Sequence, residues 1–243
     1  MGTQDIARGR FNTNFWHRLR FTLLGPIYDP FARVFTAKRR RSLEIAELRP
    51  GETVLLLGAG TGLDLELLPA GLRLTAIDIT PAMIRRLRRR ALRLGVEVDA
   101  RLMDGQAMDF QDGTFDVVVL HLIVAVIPDP ARCLKEVHRV LRPGGRVVVF
   151  DKFLPDDGSP SLAVRCLAPV ASFLGTEITR RPGPLLRGAG LEIVREEAAG
   201  LRGLFRIVLA RKGDGRVDRA VASPAGLAVR SNSPRGTPGP LGV

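Results

Sequence analysis

The sequence predicts an α/β domain with a mainly parallel sheet covered by helices on both faces. Three observations carry that expectation. Short apolar runs recur at 53–57 (TVLLL), 72–77 (LRLTAI), 97–102 (EVDARL), 115–120 (FDVVVL) and 146–150 (RVVVF). Helical periodicity fills 63–69, 81–94 and 130–141 between most of them. Strands apolar along their whole length, and separated by helices, belong to a parallel sheet buried on both sides.

The elements follow in order. Residues 11–24 set Phe11, Phe15, Trp16, Leu19 and Leu23 at helical spacing, with His17, Arg18 and Arg20 between them, and Gly25-Pro26 ends the segment. A second helical pattern runs from about Phe31 to Leu48, and Pro50-Gly51 punctuates before the first strand. After Phe150 the alternation stops. A helix is expected over about 160–174, then strands near 191–196 and 204–210, whose short glycine-containing link suggests an antiparallel pair. Beyond Lys212 the chain turns to Gly, Pro, Ser and Arg without an apolar face, which reads as disorder. The expected division is a basic helical cap over 1–49, a central domain over 50–211 and a tail over 212–243.

Composition narrows the function classes. The net charge of +12 is concentrated at the ends: residues 1–41 hold nine Lys/Arg against two acids, and 212–243 hold five against two. The centre, 42–211, is nearly balanced at 23 against 21, so the domain itself carries no nucleic-acid footprint. No apolar run reaches membrane-spanning length, and no leader pattern starts the chain. Cys133 and Cys166 have no metal or redox spacing, which points to reduced core thiols in the cytoplasm. His17, His121 and His138 are scattered and suggest no metal. Helix 81–94 carries six arginines (Arg85, Arg86, Arg88, Arg89, Arg90 and Arg93), with Ile84, Leu87, Ala91 and Leu94 expected inside and the arginines on a solvated outer face.

The chemistry is written at three strand ends. Val54 to Leu57 runs into Gly58-Ala59-Gly60-Thr61-Gly62 and then a helix. Glycines let backbone approach a ligand closely, and the helix start offers free N–H donors. A dinucleotide fingerprint needs a third glycine where this chain has Leu63. Asp78 ends the second strand eighteen residues after Gly60, where a carboxylate can accept from both ribose hydroxyls of a nucleoside. Asp104-Gly105-Gln106 follows the third strand, where a carboxylate can receive an adenine amino group. Turn, Asp78 and Asp104 at successive strand ends are far more specific than the turn alone.

These residues, with Phe115–Val119 and Glu136–Phe150 (EVHRVLRPGGRVVVF), resemble the class I S-adenosylmethionine (SAM)-dependent methyltransferases of the methyltransferase domain 11 type. The resemblance spans about 50–152. It implies a Rossmann-like seven-stranded sheet in the order 3-2-1-4-5-7-6, with the seventh strand antiparallel. It also implies SAM as cofactor, held by Gly58, Ala59, Gly60, Gly62, Asp78, Ile79, Met83, Asp104, Gly105, Gln106 and His121. The chain departs from the family at Leu56, where an acid usually stands two residues before the first glycine; Asp64, just inside the next helix, is a candidate substitute.

Methyl transfer is an in-line displacement at a sulfonium carbon, so positioning and desolvation suffice without a protein nucleophile. The base-methylating motif (Asn/Asp-Pro-Pro-aromatic) is missing after the fourth strand, where His121-Leu-Ile-Val-Ala-Val-Ile-Pro128 stands, and an apolar lining favours a small or greasy acceptor. Gly25-Pro-Ile-Tyr28-Asp29, Val124–Asp129 and Gly203-Leu-Phe205 are similar to bacterial phosphatidylethanolamine N-methyltransferases. That likeness implies a phospholipid-amine acceptor, with His121 and Tyr28 as candidate catalytic residues. Residues 8–24 would then rest on the anionic inner membrane face through Arg8, Arg10, Arg18 and Arg20. Quinone or other small-molecule methylation, and a non-catalytic SAM-binding module, are the alternatives.

Overall fold

A computed structural model of the chain describes residues 33–154, 180–200 and 204–213. The expected helices at 11–24 and 160–174, Tyr28, Cys166 and all but the first two residues of the 212–243 tail lie outside these residues.

Helix α1 (Thr36–Ala46) precedes β1 (Thr53–Leu57). A single 3-10 turn (Leu63–Glu66) leads to β2 (Arg73–Asp78), α2 (Pro81–Leu94) and β3 (Asp99–Leu102). Next come β4 (Phe115–His121), α3 (Pro130–Val140) and β5 (Leu141–Lys152). Helix α4 (Pro182–Gly188), β6 (Leu191–Gly200) and β7 (Phe205–Lys212) complete the fold. The seven strands form one sheet in the order β3-β2-β1-β4-β5-β7-β6, as expected. Neighbours from β3 to β5 pair parallel, and β7 runs antiparallel to both β5 and β6.

Alternate residues of each strand feed two cores. On one face Leu55, Leu57, Val118, Leu120 and Val149 pack with Leu134 and Val137 of α3 and Leu186 of α4. On the other, Val54, Leu56, Val117, Val119, Val148 and Phe150 pack with Leu43 and Ala46 of α1 and Ile84, Leu87 and Ala91 of α2. Phe35, Phe150 and Phe205 gather there, with ring centroids 4.9–6.0 Å apart. Arg146 fixes the end of α1: it donates to the carbonyls of Ala46 and Glu47 and pairs with both carboxylate oxygens of Glu52 at 2.9 Å, which suits the negative end of a helix dipole.

Four details depart from the sequence-based expectation. The helix foreseen at 63–69 is one 3-10 turn, because Pro69 and Gly71 leave no room for intrahelical bonds. His121 is the last residue of β4 rather than past it. In α2, Leu94 is 43% exposed, whereas Arg90 is buried among the apolar residues. Helix α4 has only seven residues, opened by Pro182, too short for periodicity to reveal.

Candidate functional site

The glycine turn sits at the carboxyl edge of the sheet, directly after β1. Gly58, Gly60 and Gly62 have φ of 68°, 55° and 80°, a region that only glycine enters without strain. At Gly58 a β-carbon would also lie 2.6 Å from the Ile123 side chain, so the loop after β4 presses against the turn. Ala59 is buried, and its amide donates to Ile77 O at 3.0 Å, tying the turn to β2.

Asp78 closes that link. Its Oδ2 accepts from the Gly60 amide at 2.9 Å, and its Oδ1 from the Thr80 amide at 2.8 Å. Burial raises the Asp78 pKa above the ordinary carboxylate value, against those two amide bonds. Ile79 is half-buried, and Met83 is buried in the first turn of α2. The last pair of the β2–β3 ladder is Asp78 with Leu102, and the Met103 amide donates to Asp78 O at 3.1 Å. Asp104 therefore stands beside Asp78 along the same edge. Its Oδ1 accepts from the Gln106 amide and side chain at 2.9 and 3.0 Å. Gln106 Oε1 in turn receives the Asp129 amide at 2.9 Å, joining this edge to the start of α3. Gly105 lies so close to β1 that a β-carbon would be 2.9 Å from Leu57 Cδ2.

Glycine turn, Asp78 and Asp104 thus form one continuous rim of donors and acceptors. Carboxylates at adjacent strand ends fit the hydroxyls and amino group of an adenosine, and the cradle excludes side chains by backbone conformation. The described residues of this site fit SAM.

Beneath the rim lies a group of polar residues that spacing did not reveal as a unit. Asp64, in the 3-10 turn, accepts at Oδ1 from Arg39 Nη1 and pairs with His121 Nδ1, both at 2.9 Å. His121 Nε2 meets Ser42 Oγ at 3.0 Å. All four residues are at most 5% exposed. Burial opposes the Asp64 carboxylate, but His121 and Arg39 outweigh it and hold its pKa well below the usual range. The Ser–His–Asp order is that of hydrolytic triads, yet Ser42 has no exposed surface and Arg39 occupies the same Asp64 oxygen, so no substrate reaches the hydroxyl. His121 likewise faces the core, with both ring nitrogens engaged.

A second buried cation supports the turn. Arg90 Nη1 donates to Thr61 O at 3.1 Å and to Thr61 Oγ1 at 3.2 Å. Its place on the inner side of α2, among the apolar Leu87 and Ala91, was the signal that separates it from its exposed neighbours Arg88, Arg89 and Arg93.

The loop after β4 bounds the site on the other side. Leu122 has φ 60°, unusual for a branched side chain. Asp151, fully buried at the end of β5, accepts from the Ala125 amide at 2.9 Å, and Arg180 donates to the carbonyls of Val124 and Ile127. Leu122, Ile123 and Val126 remain half-exposed, giving an apolar wall beside the turn. Cys133 is buried, which pushes its thiol pKa up; among the described residues no cluster could hold a metal, and no helix is long and apolar enough to cross a membrane.

Comparison with known proteins agrees with this geometry. Residues 55–149 match the methyltransferase domain family. The chain is 35% identical over 182 residues to a phosphatidylethanolamine N-methyltransferase of Cereibacter sphaeroides, covering 74% of this chain and 89% of that protein. It is 33% identical to a demethylmenaquinone methyltransferase of Thermus thermophilus, covering 64% of this chain and 74% of that one. Among solved structures, a geranyl diphosphate C-methyltransferase of Streptomyces coelicolor, solved with S-adenosyl-L-homocysteine, superposes with a TM-score of 0.61 at 16% identity, over 74% of this chain and 81% of that one. That last likeness shows the fold.

Proposed function

This chain belongs to the SAM-dependent methyltransferases, and from that premise we propose that it methylates the amine of a phospholipid headgroup of the phosphatidylethanolamine type. One observation carries the choice. The phosphatidylethanolamine N-methyltransferase is matched at 35% identity over 89% of its length, against 33% over 74% for the demethylmenaquinone enzyme.

SAM supplies an electrophilic methyl on a sulfonium, and this chain's part is to place an acceptor in line with it and exclude water. Asp78 and Asp104 hold the nucleoside end. The wall of Leu122, Ile123 and Val126 offers an apolar approach, suited to an amine carried on a lipid. Tyr28 and residues 8–24 are proposed to complete the acceptor side and rest on an anionic membrane face.

The test is direct: radiolabelled SAM is incubated with the full chain and phosphatidylethanolamine liposomes, and lipid extracts are counted. Label in the mono- and dimethylated headgroups is expected; label absent from lipid overturns the proposal. A second reading, methylation of a quinone or another small molecule, is favoured by the 33% identity to the demethylmenaquinone enzyme. It predicts no liposome binding and unchanged activity after residues 1–24 are removed.

A further inference from the structure

We propose that Arg39, Ser42, Asp64 and His121 form a positioning cluster that sets the affinity for SAM and couples helix α1 to the cofactor turn. The four residues come from three places: α1 supplies Arg39 and Ser42, the segment leaving the glycine turn supplies Asp64, and the end of β4 supplies His121. They are sequestered in the core face that Leu56, Val119 and Phe150 make apolar.

A buried ion pair in apolar surroundings contributes little net stability, because desolvation offsets the attraction. What it does provide is geometry. Asp64 Oδ1 can satisfy Arg39 and His121 together only when α1, the turn exit and β4 are in one register. Buried networks of this kind act on specificity of arrangement more than on stability.

The register matters because of what lies above it. Asp78 holds the turn at Gly60, Arg90 holds it at Thr61, and Ile123 packs on Gly58. The exit of the turn is held to β4 and α1 through Asp64. On this face β1 presents only the aliphatic side chains of Val54 and Leu56, so the carboxylate under the turn is supplied from residue 64. The aromatic contact of His121 with Phe150, centroids 6.0 Å apart, keeps the imidazole plane fixed. The cluster touches no acceptor and no reacting atom; its members are positioning residues.

Reciprocity follows. If α1 and the turn share one cluster, cofactor binding must stabilise α1 by as much as α1 favours cofactor binding.

The experiment uses the full chain with three readouts: calorimetric Kd for SAM, amide exchange over Thr36–Ala46 with and without S-adenosylhomocysteine, and the split of KM and kcat. An all-apolar variant, Arg39→Met, Ser42→Ala, Asp64→Leu and His121→Phe together, removes every cluster charge while keeping volume. It is expected to melt near the parent and to bind SAM at least tenfold more weakly, with cofactor no longer slowing exchange in α1. Native affinity in this folded variant overturns the proposal. If the variant does not fold, Ser42→Ala decides, since it lies at the far end of the cluster from the turn. A two- to fivefold rise in KM for SAM with kcat within twofold is expected, and an unchanged KM overturns the proposal. In the parent chain, exchange in α1 that ignores bound S-adenosylhomocysteine overturns the coupling.

Discussion

The two ends of the sheet handle charge in opposite ways. From β3 to β4 the strands are parallel, and at their carboxyl edge Asp78, Asp104 and the glycine turn share hydrogen bonds with backbone. In the β6–β7 hairpin the charges pair with each other or with α1: Arg206 with Glu196, Arg195 with Glu197, and Arg41 of α1 with Glu197. Parallel strands bring all their carboxyl ends to one side, so amides and carboxylates converge on a ligand. An antiparallel hairpin spreads its side chains along both directions and serves as a brace for α1. Charged side chains thus make a binding site at one end and scaffolding at the other.

That contrast can be broken by substitution. The largest effect on cofactor binding belongs to Asp78→Ala, which removes the anchor of Gly60 together with the acceptor for ribose hydroxyls. Two charge-assisted hydrogen bonds are worth about 3 kcal/mol together, or roughly a hundredfold in Kd, measurable by calorimetry. Phe150→Ala in the aromatic group should cost about 3–5 kcal/mol of stability. Its unfolding midpoint would shift far more than its SAM affinity measured below that midpoint. Asp64→Asn alone removes the buried carboxylate that Arg39 and His121 share and should cost about 3–5 kcal/mol, far beyond the effect of the all-apolar replacement; equal melting curves for the two would contradict the account of the cluster.

A pH titration sharpens the comparison further. Burial raises the Asp78 pKa, so this carboxylate takes up a proton at a higher pH than an ordinary aspartate; one oxygen then becomes a donor, and the charge that strengthens the remaining hydrogen bonds is lost. SAM affinity should therefore begin to fall, on acidification, before the ordinary carboxylate range is reached. Asp64 behaves in the opposite sense. Its folded pKa is depressed, so its contribution to stability is complete above the unfolded value and is lost only as pH falls toward the depressed one. Affinity should thus fail at a higher pH than the fold. The smallest effect is expected at the other end of the sheet, where Arg41→Ala removes an exposed pair with Glu197 and should leave both melting and SAM affinity unchanged.

The cofactor half was readable from sequence because its information is local. Asp78 and Asp104 terminate apolar runs, and three glycines mark the turn, so strand periodicity alone puts them on one edge. α2 was legible to the residue, from Pro81 to Leu94, because a proline opens it and Gly95 closes it in the left-handed region. For Arg90 only its place on the inner face was legible; its partner, the carbonyl of Thr61, lies 29 residues away in sequence. The cluster under the turn was hidden for the same reason. Asp64 could be singled out as an acid, but its partners lie 25 and 57 residues away, and Ser42 is 79 residues from His121. No pattern within a window of sequence encodes such a meeting.

The shared Asp64 oxygen carries a consequence for how the protein can change over time. Losing the Asp64 carboxylate removes the one oxygen that Arg39 and His121 share, whereas losing Arg39 leaves Asp64 still paired with His121. The two positions are therefore unequal: residue 64 is the hub of the cluster and residue 39 one of its spokes. Among relatives that keep this cap helix, residue 64 should change only together with its neighbours, whereas residue 39 should vary more freely.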